Sequence, residues 1–156
     1  MSRLPSFPVT GGCACGAVRY EVLATPPVTF ACCCNDCQTL TGSGFSLAMA
    51  VMREHFRITK GEVATWIRRS EAGNEIPQNI CAHCGVRLYS EPYWGPQTVT
   101  VRAGTLDEAG WVQPAAAYYL RSKAPWLGFP EGTLLYETVP EDIMPVARRW
   151  REICEG

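Results

Sequence analysis

Four thiols fall within six residues of this sequence, in the stretch Cys32-Cys33-Cys34-Asn35-Asp36-Cys37. Successive side chains of an extended backbone point to opposite faces, so Cys32 and Cys34 project to one face and Cys33 to the other. A tight turn at the Asn-Asp pair, two residue types that tolerate unusual backbone angles, brings Cys37 back to the same point. We therefore predict that Cys32, Cys34 and Cys37 converge as a three-thiol metal site, here called the claw.

Two further cysteine pairs flank this stretch, a C-x-C of Cys13 and Cys15 and a C-x-x-C of Cys81 and Cys84. Together they supply four thiolates, which is the number that a closed structural zinc site needs. Three thiolates leave one position of zinc open, as in a reactive site. The sequence therefore predicts two zinc ions per chain, one structural and one catalytic. The ninth cysteine, Cys154, is expected to be a half-buried small hydrophobe.

Composition limits the class of protein. The 156 residues, 47% of them hydrophobic, can form one domain (1–156) with a core that needs no disulfides. A formal net charge of -1 gives no reason to expect nucleic acid or an anionic membrane as a partner. The odd number of cysteines and the lack of an export signal in Met1–Pro8 argue against a disulfide framework. We expect a cytoplasmic protein with no membrane span.

The elements that must position the thiols are mostly short strands. Alternating apolar and polar residues predict strands over 18–22, 28–33, 45–51, 76–80, 86–90, 98–102 and 117–120. Two more, 56–58 and 63–69, are predicted to form a hairpin. The run 38–44 predicts no more than one helical turn, capped by Asn35 or Asp36. Apolar residues at helical spacing predict a helix near the end, capped by Asp142. The predicted class is mainly β, with strands stitched by zinc and a C-terminal helix.

These motifs resemble the glutathione-dependent formaldehyde-activating enzyme family, which includes centromere protein V. The resemblance rests on 12–16 with Val18 and Tyr20, on the claw, on 81–85, on 103–107 and on 122–126, and it spans residues 11–126. It implies a tent-like fold of β-sheets. It also implies a structural zinc on Cys13, Cys15, Cys81 and Cys84 and a more exposed zinc on Cys32, Cys34 and Cys37. The position between the first two claw cysteines is commonly histidine in the family and is Cys33 here, which leaves open whether Cys33 is a ligand.

An open zinc position can make a bound thiol a thiolate or polarise a carbonyl oxygen, and either role suits the addition of a thiol to an aldehyde. For the family's glutathione and formaldehyde the product is S-(hydroxymethyl)glutathione. The predicted function is a zinc-dependent carbon-sulfur lyase or synthase, with Cys32, Cys34 and Cys37 as the catalytic ligands and no protein nucleophile. The alternative is a non-catalytic, zinc-stabilised protein-interaction module of the same fold.

Other polar and aromatic residues are candidates for binding the substrate. Arg68, Arg69, Arg121 and Lys123 could meet the carboxylates of a glutathione-like thiol, although solvated strand ends are the alternative interpretation. Trp94 and Trp126 could wall a pocket or pack in turns. The two histidines, His55 and His83, are expected to be ordinary exposed or hydrogen-bonding residues.

Overall fold

The computed structural model describes residues 4–156, and its strands form two sheets. The elements in chain order are β1 (Val9–Gly12), β2 (Arg19–Val22), β3 (Val28–Cys32), α1 (Asn35–Thr41), β4 (Ser46–Met52), β5 (Phe56–Lys60), β6 (Val63–Arg69), β7 (Glu75–Cys81), β8 (Arg87–Ser90), β9 (Thr98–Arg102), β10 (Ala116–Tyr118), β11 (Leu134–Leu135) and α2 (Met144–Glu155). The small sheet has the order β1-β2-β5, and the large sheet has the order β11-β10-β3-β4-β9-β8-β7-β6. The predicted class, mainly β with a C-terminal helix, is confirmed.

The larger apolar core joins the two sheets. Tyr20 and Val22 of the small sheet belong to the same buried cluster as Met49 of β4 and Val101 of β9. Tyr20 is fully buried, and its hydroxyl is hydrogen-bonded to Thr105 Oγ1 at 2.8 Å. The β-strands adopt this arrangement because their alternating residues give each sheet one apolar face to bury against the other.

A second core lies under the C-terminal helix. Val146, Trp150 and Ile153 of α2 pack with Val28 of β3 and with residues of β10. Trp150 donates a hydrogen bond from Nε1 to the carbonyl oxygen of Pro26 at 2.7 Å, so its one polar group is satisfied in the core. Helical spacing predicted the burial of these three residues correctly, but Ile143, which the same spacing places on this face, is 47% exposed just before the helix begins. Cys154 is half-buried beside this core, as predicted.

The predicted hairpin between 56–58 and 63–69 is wrong. Strand β5 pairs with β2 in the small sheet, and β6 pairs with β7 in the large sheet. The short connection between β5 and β6 therefore carries the chain from one sheet to the other. Gly61 makes this possible because it has a φ of +72° and lies against the Ala17 carbonyl, where an added Cβ would come within 2.1 Å of the oxygen.

Helix α1 differs from the prediction in its length and its N-cap, whereas the start of α2 agrees with it. Helix α1 runs to Thr41, longer than the single turn expected, and its N-cap is the Cys34 thiol rather than Asn35 or Asp36. Thr41 extends it by donating a hydrogen bond to the Cys37 carbonyl oxygen. Asp142 does cap α2, since its Oδ1 accepts a hydrogen bond from the Met144 amide. No helix within 4–156 is both long and apolar enough to span a membrane.

Candidate metal centres

The four flanking cysteines meet at one point in the structure. The sulfur atoms of Cys13, Cys15, Cys81 and Cys84 all lie within 4.8 Å of one another, and we call this group the knuckle site. It joins the loop after β1 to the loop after β7, although Cys15 and Cys81 are 66 positions apart. Both loops are tight turns. The Cys13 amide donates to the Val18 carbonyl and the Cys81 amide to the Val86 carbonyl, at 3.1 and 3.0 Å.

A glycine follows the second cysteine of each knuckle-site loop. Gly16 and Gly85 have φ values of +78° and +77°, a left-handed conformation that side chains rarely adopt. This conformation lets each loop reverse within a few residues, so that its two thiols point the same way. The signal was visible in the sequence as C-x-C-G and C-x-x-C-G.

The donor set of the knuckle site fits zinc. The sulfur of Cys15 lies 3.6 Å from that of Cys13 and 3.7 Å from that of Cys81. Tetrahedral zinc with sulfur at about 2.3 Å places its ligand sulfurs about 3.8 Å apart. A disulfide would require about 2.05 Å. Backbone amides also stabilise the thiolate form here. The pKa of Cys13 is lowered to about 6, and the main cause is the hydrogen bond that the Val18 amide donates.

The three claw thiols come together where β3 ends and α1 begins. Cys32 is the last residue of β3, Cys34 caps α1, and Cys37 lies in the first helical turn. Their sulfur atoms all lie within 4.8 Å of one another. The Cys37 amide donates a hydrogen bond to the Cys34 sulfur at 3.3 Å, so the helix cap itself holds two of the thiols together.

Cys33 lies apart from the claw thiols. It is fully buried, and its sulfur does not belong to the group of sulfurs that lie within 4.8 Å of one another. Its amide donates to the Tyr118 carbonyl, and its own carbonyl accepts a hydrogen bond from the Gln38 side chain. Gln38 also donates to the Ser122 carbonyl oxygen. The side chain of Gln38 therefore ties the claw loop to the 120–123 segment.

The pKa values of the claw thiols are shifted in opposite directions. Hydrogen bonds from Cys32 and Cys34 lower the pKa of Cys37 to about 2, and the positive charges of Arg102 and Arg87 lower it further. The hydrogen bonds with Cys34 and Cys37 raise the pKa of Cys32. The claw therefore holds thiolate charge beside two arginines, which is the form in which cysteine binds metals.

These two arginines, here called the arginine pair, belong to a buried polar network beside the claw. Arg102 donates to the Ser90 hydroxyl oxygen at 2.6 Å and to the Ser46 hydroxyl oxygen at 3.3 Å. Arg87 donates to the same Ser46 oxygen at 3.3 Å and to Gln78 Oε1 at 3.0 Å. Ser46, Ser90 and Gln78 are at most 3% exposed. Ser46 pairs with Cys32 across β3 and β4, which places the network next to the claw.

Arg87 reaches this network because of an irregularity in β8. Asn79 of β7 pairs with Tyr89, whereas Ile80 pairs with Arg87, so Leu88 is an extra residue on its strand. Such a β-bulge turns the following or preceding side chain to the other face. Leu88 and Tyr89 both contact the larger core, and Arg87 lies with Gln78 and Ser46 on the opposite face.

Burial acts on the charge of the arginine pair. Burial is the main cause that lowers the pKa of Arg87. Burial, followed by repulsion from the Arg87 guanidinium, lowers the pKa of Arg102 to about 10. The negative charge of Cys37 opposes both shifts. A pKa of about 10 keeps Arg102 protonated at neutral pH, so the pair carries two positive charges toward the claw.

Each of the four basic residues singled out from the sequence has a polar partner within the protein. Arg68 pairs with Asp36, Arg69 with Glu75, and Arg121 with Glu71. The Lys123 ammonium donates to the carbonyl oxygens of Ala124 and Leu127. The two tryptophans are exposed: Trp94 contacts Tyr93, and Trp126 lies near Gly44. His83 is exposed in the knuckle loop, and His55 follows β4 near Glu54.

Tyr119 is a further residue near the claw that the sequence patterns did not single out. It is a non-glycine residue with a left-handed backbone, at φ 57° and ψ 45°. Burial raises the pKa of its phenol, and the charges of Cys32 and Cys34 raise it further. A left-handed backbone costs an ordinary residue about 1–2 kcal/mol, and such strain occurs most often at functional sites.

Comparisons with known proteins indicate the family and the fold of this chain. A family model described as glutathione-dependent formaldehyde-activating enzyme matches residues 8–122. A Penicillium rubens protein, provisionally named a glutathione-dependent formaldehyde-activating enzyme, is 31% identical over 117 residues, which cover 70% of this chain. The match covers 59% of that relative's length. A crystal structure of a Rhodobacter sphaeroides protein has a similar fold, with a TM-score of 0.53 and 18% identity over 81% of this chain and 98% of that one.

Proposed function

The chain belongs to the glutathione-dependent formaldehyde-activating enzyme family, and from this premise we propose that it catalyses the reversible addition of a thiol to an aldehyde at the claw. Glutathione and formaldehyde are the reactants that the family name indicates. In the forward direction the sulfur bonds to the carbonyl carbon, the carbonyl π bond opens, and the thiol proton ends on the oxygen. The reverse direction is a carbon-sulfur lyase reaction.

The observation that carries this proposal is the difference between the two cysteine groups. The knuckle site offers four thiols, whereas the claw offers three, and Cys33 next to them is not grouped with them. We assign zinc to both, with Cys32, Cys34 and Cys37 as the ligands of the catalytic ion. When bound there, zinc with an open position lowers the pKa of an incoming thiol or polarises a carbonyl oxygen.

The residues around the claw supply the remaining needs of the reaction. No protein nucleophile is required, because the attacking sulfur belongs to the substrate. A hydrogen-bond donor is required at the oxygen that gains the proton, and we assign this role to the Tyr119 phenol. A tyrosine phenol is protonated at neutral pH, and this one is close enough to Cys32 and Cys34 for their charges to raise its pKa.

The proposal is tested by comparing adjacent cysteines. We expect mass spectrometry to find two zinc ions per wild-type chain. With glutathione and ¹³C-formaldehyde, the labelled carbon should exchange between free formaldehyde and the glutathione adduct faster than it does without the protein. Cys34→Ala should lose about one zinc and this activity while keeping its fold, because the knuckle site still closes the long loop. Cys33→Ala is the matched control and should keep both.

The opposite result would favour the interaction module. It would consist of a wild-type protein with two zinc ions and no catalysis on any thiol-aldehyde adduct, together with a Cys34→Ala variant that changes only the affinity for a protein partner. A wild-type protein with one zinc per chain would remove the catalytic metal from the proposal.

A further inference from the structure

The arginine pair carries two charges that no acidic residue neutralises. Among residues 4–156, seven arginines pair with a carboxylate within 4.0 Å, and neither Arg87 nor Arg102 is one of them. Both guanidiniums donate to neutral oxygens, Arg87 also interacts with the Cys37 thiol, and the buried Nε of Arg102 has no partner. The neighbouring Arg68 differs, because Asp36 pairs with it. Two half-buried charges of the same sign without a carboxylate partner are costly unless an opposite charge lies nearby.

The claw supplies that opposite charge. Three thiolates and one divalent zinc sum to -1, so the arginine pair leaves an excess of +1. A neutral fourth ligand, such as water or a carbonyl oxygen, would keep this excess. A thiolate as the fourth ligand brings the metal site to -2, and the arginine pair then balances it to zero.

We propose that Arg87 and Arg102 select an anionic sulfur as the fourth ligand of the claw, so that the site binds the thiol substrate as a thiolate in preference to a neutral donor. This inference rests on the proposed function, since it requires zinc at the claw. It adds that the thiol, and not the aldehyde oxygen, occupies the open position. The proton lost by the thiol on binding passes to solvent, and protonation of the adduct oxygen later restores the balance.

The fold supports a functional role for the pair. The bulge at Leu88 places Arg87 on the claw side of the sheet, and the buried hydroxyl of Ser46 holds both guanidiniums on one oxygen. A regular β8 would direct Arg87 to the same side as Tyr89, into the apolar core. Bulges are over-represented at sheet edges and next to active sites, where they redirect a side chain.

The test measures ligand preference in the cobalt-substituted protein, because cobalt in a thiolate site absorbs visible light and the spectrum changes when a fourth ligand binds. The whole chain is titrated with 2-mercaptoethanol as the anionic probe and with imidazole as the neutral probe. Arg102→Gln should bind 2-mercaptoethanol about ten- to a hundredfold more weakly, the range expected when a charged hydrogen-bonding partner is lost. Its affinity for imidazole should stay within about twofold.

Three further variants make the result specific. Arg102→Lys should recover most of the thiolate affinity, since it restores the charge without the planar guanidinium. Arg87→Gln should repeat the loss and carries the test if Arg102→Gln does not fold. Arg57→Gln is the matched control, because Arg57 is an exposed arginine of the small sheet paired with Glu21.

The outcomes separate this inference from the proposed function. Equal thiolate affinity in wild type, Arg102→Gln and Arg87→Gln overturns the role of the arginine pair and leaves the proposed function standing. An equal loss for both probes also overturns it, because the pair would then only hold the site together. A wild-type protein whose cobalt spectrum shows no site open to either probe overturns both proposals.

Discussion

Removing the knuckle site should cost the fold much of its stability, and the structure allows the size to be worked out. A metal bound by Cys13, Cys15, Cys81 and Cys84 closes a loop in which Cys15 and Cys81 are 66 positions apart. By the chain-entropy relation for a cross-link, closing such a loop contributes about 4 kcal/mol. The double change Cys81→Ser/Cys84→Ser opens the loop completely, whereas a single change would leave three ligands.

This loss translates into a large change in melting temperature. For a domain of this size each kcal/mol corresponds to about 2–4 °C, so the double variant should melt about 8–16 °C below wild type. The buried serine at position 81 adds to the loss, because Cys81 is fully buried and the hydroxyl has to find a partner there. Calorimetry of the zinc-loaded proteins, with metal content measured on the same samples, gives both quantities.

The matched control is Cys154→Ser, which removes a half-buried thiol that belongs to neither cysteine group. It should melt within a few degrees of wild type and keep its zinc. If the knuckle double variant melted like Cys154→Ser and kept two zinc ions per chain, the structural zinc would have to be abandoned.

Two other variants test the packing between the sheets. Burial raises the pKa of Tyr20 to about 12; this neutral phenol stabilises the fold fully below the unfolded value near 10, and the stabilisation is lost as the pH rises from about 10 to 12. The unfolding free energy of wild type should therefore fall toward that of Tyr20→Phe across this window, and a constant difference in chemical denaturation would contradict the assignment. Gly61→Ala should lower the unfolding free energy by about 1–3 kcal/mol more than Gly73→Ala does. Both glycines have positive φ, but only Gly61 lies against another part of the backbone. Equal losses in urea denaturation would show that the connection between β5 and β6 can relax.

The parts of this structure that depend on local sequence were predictable. Side-chain alternation at Cys32 and Cys34, with a turn before Cys37, is enough to place three thiols together and to leave Cys33 aside. The knuckle site can be predicted by counting, since the four remaining clustered cysteines match one closed zinc site. The buried face of α2 can be predicted from helical spacing. In each case the controlling interaction lies within a few residues or within a fixed number of ligands.

The parts that depend on pairing between distant strands were not predictable in the same way. The sequence indicates strands at 56–58 and 63–69, but it does not show that they belong to different sheets. Arg87 was missed because the bulge at Leu88 reverses the face expected from alternation with Tyr89. The alternation over 98–102 indicates that Arg102 lies at the end of a strand, on its polar face. Its partners Ser46 and Ser90 come from strands distant in sequence, so its position beside the claw was not visible.

The contrast between the two cysteine groups arises from the path of the chain after the second thiol of each motif. At the knuckle site a left-handed glycine, Gly16 or Gly85, turns the chain back after two thiols, and two such loops meet to give four ligands. At the claw the chain instead continues from Cys34 into α1, which adds Cys37 from its first turn and then leads away. No second loop with a thiol faces the claw among residues 4–156, and the arginine pair stands beside it. One fold thus brings four thiols together from two turns and three thiols together from one strand and one helix.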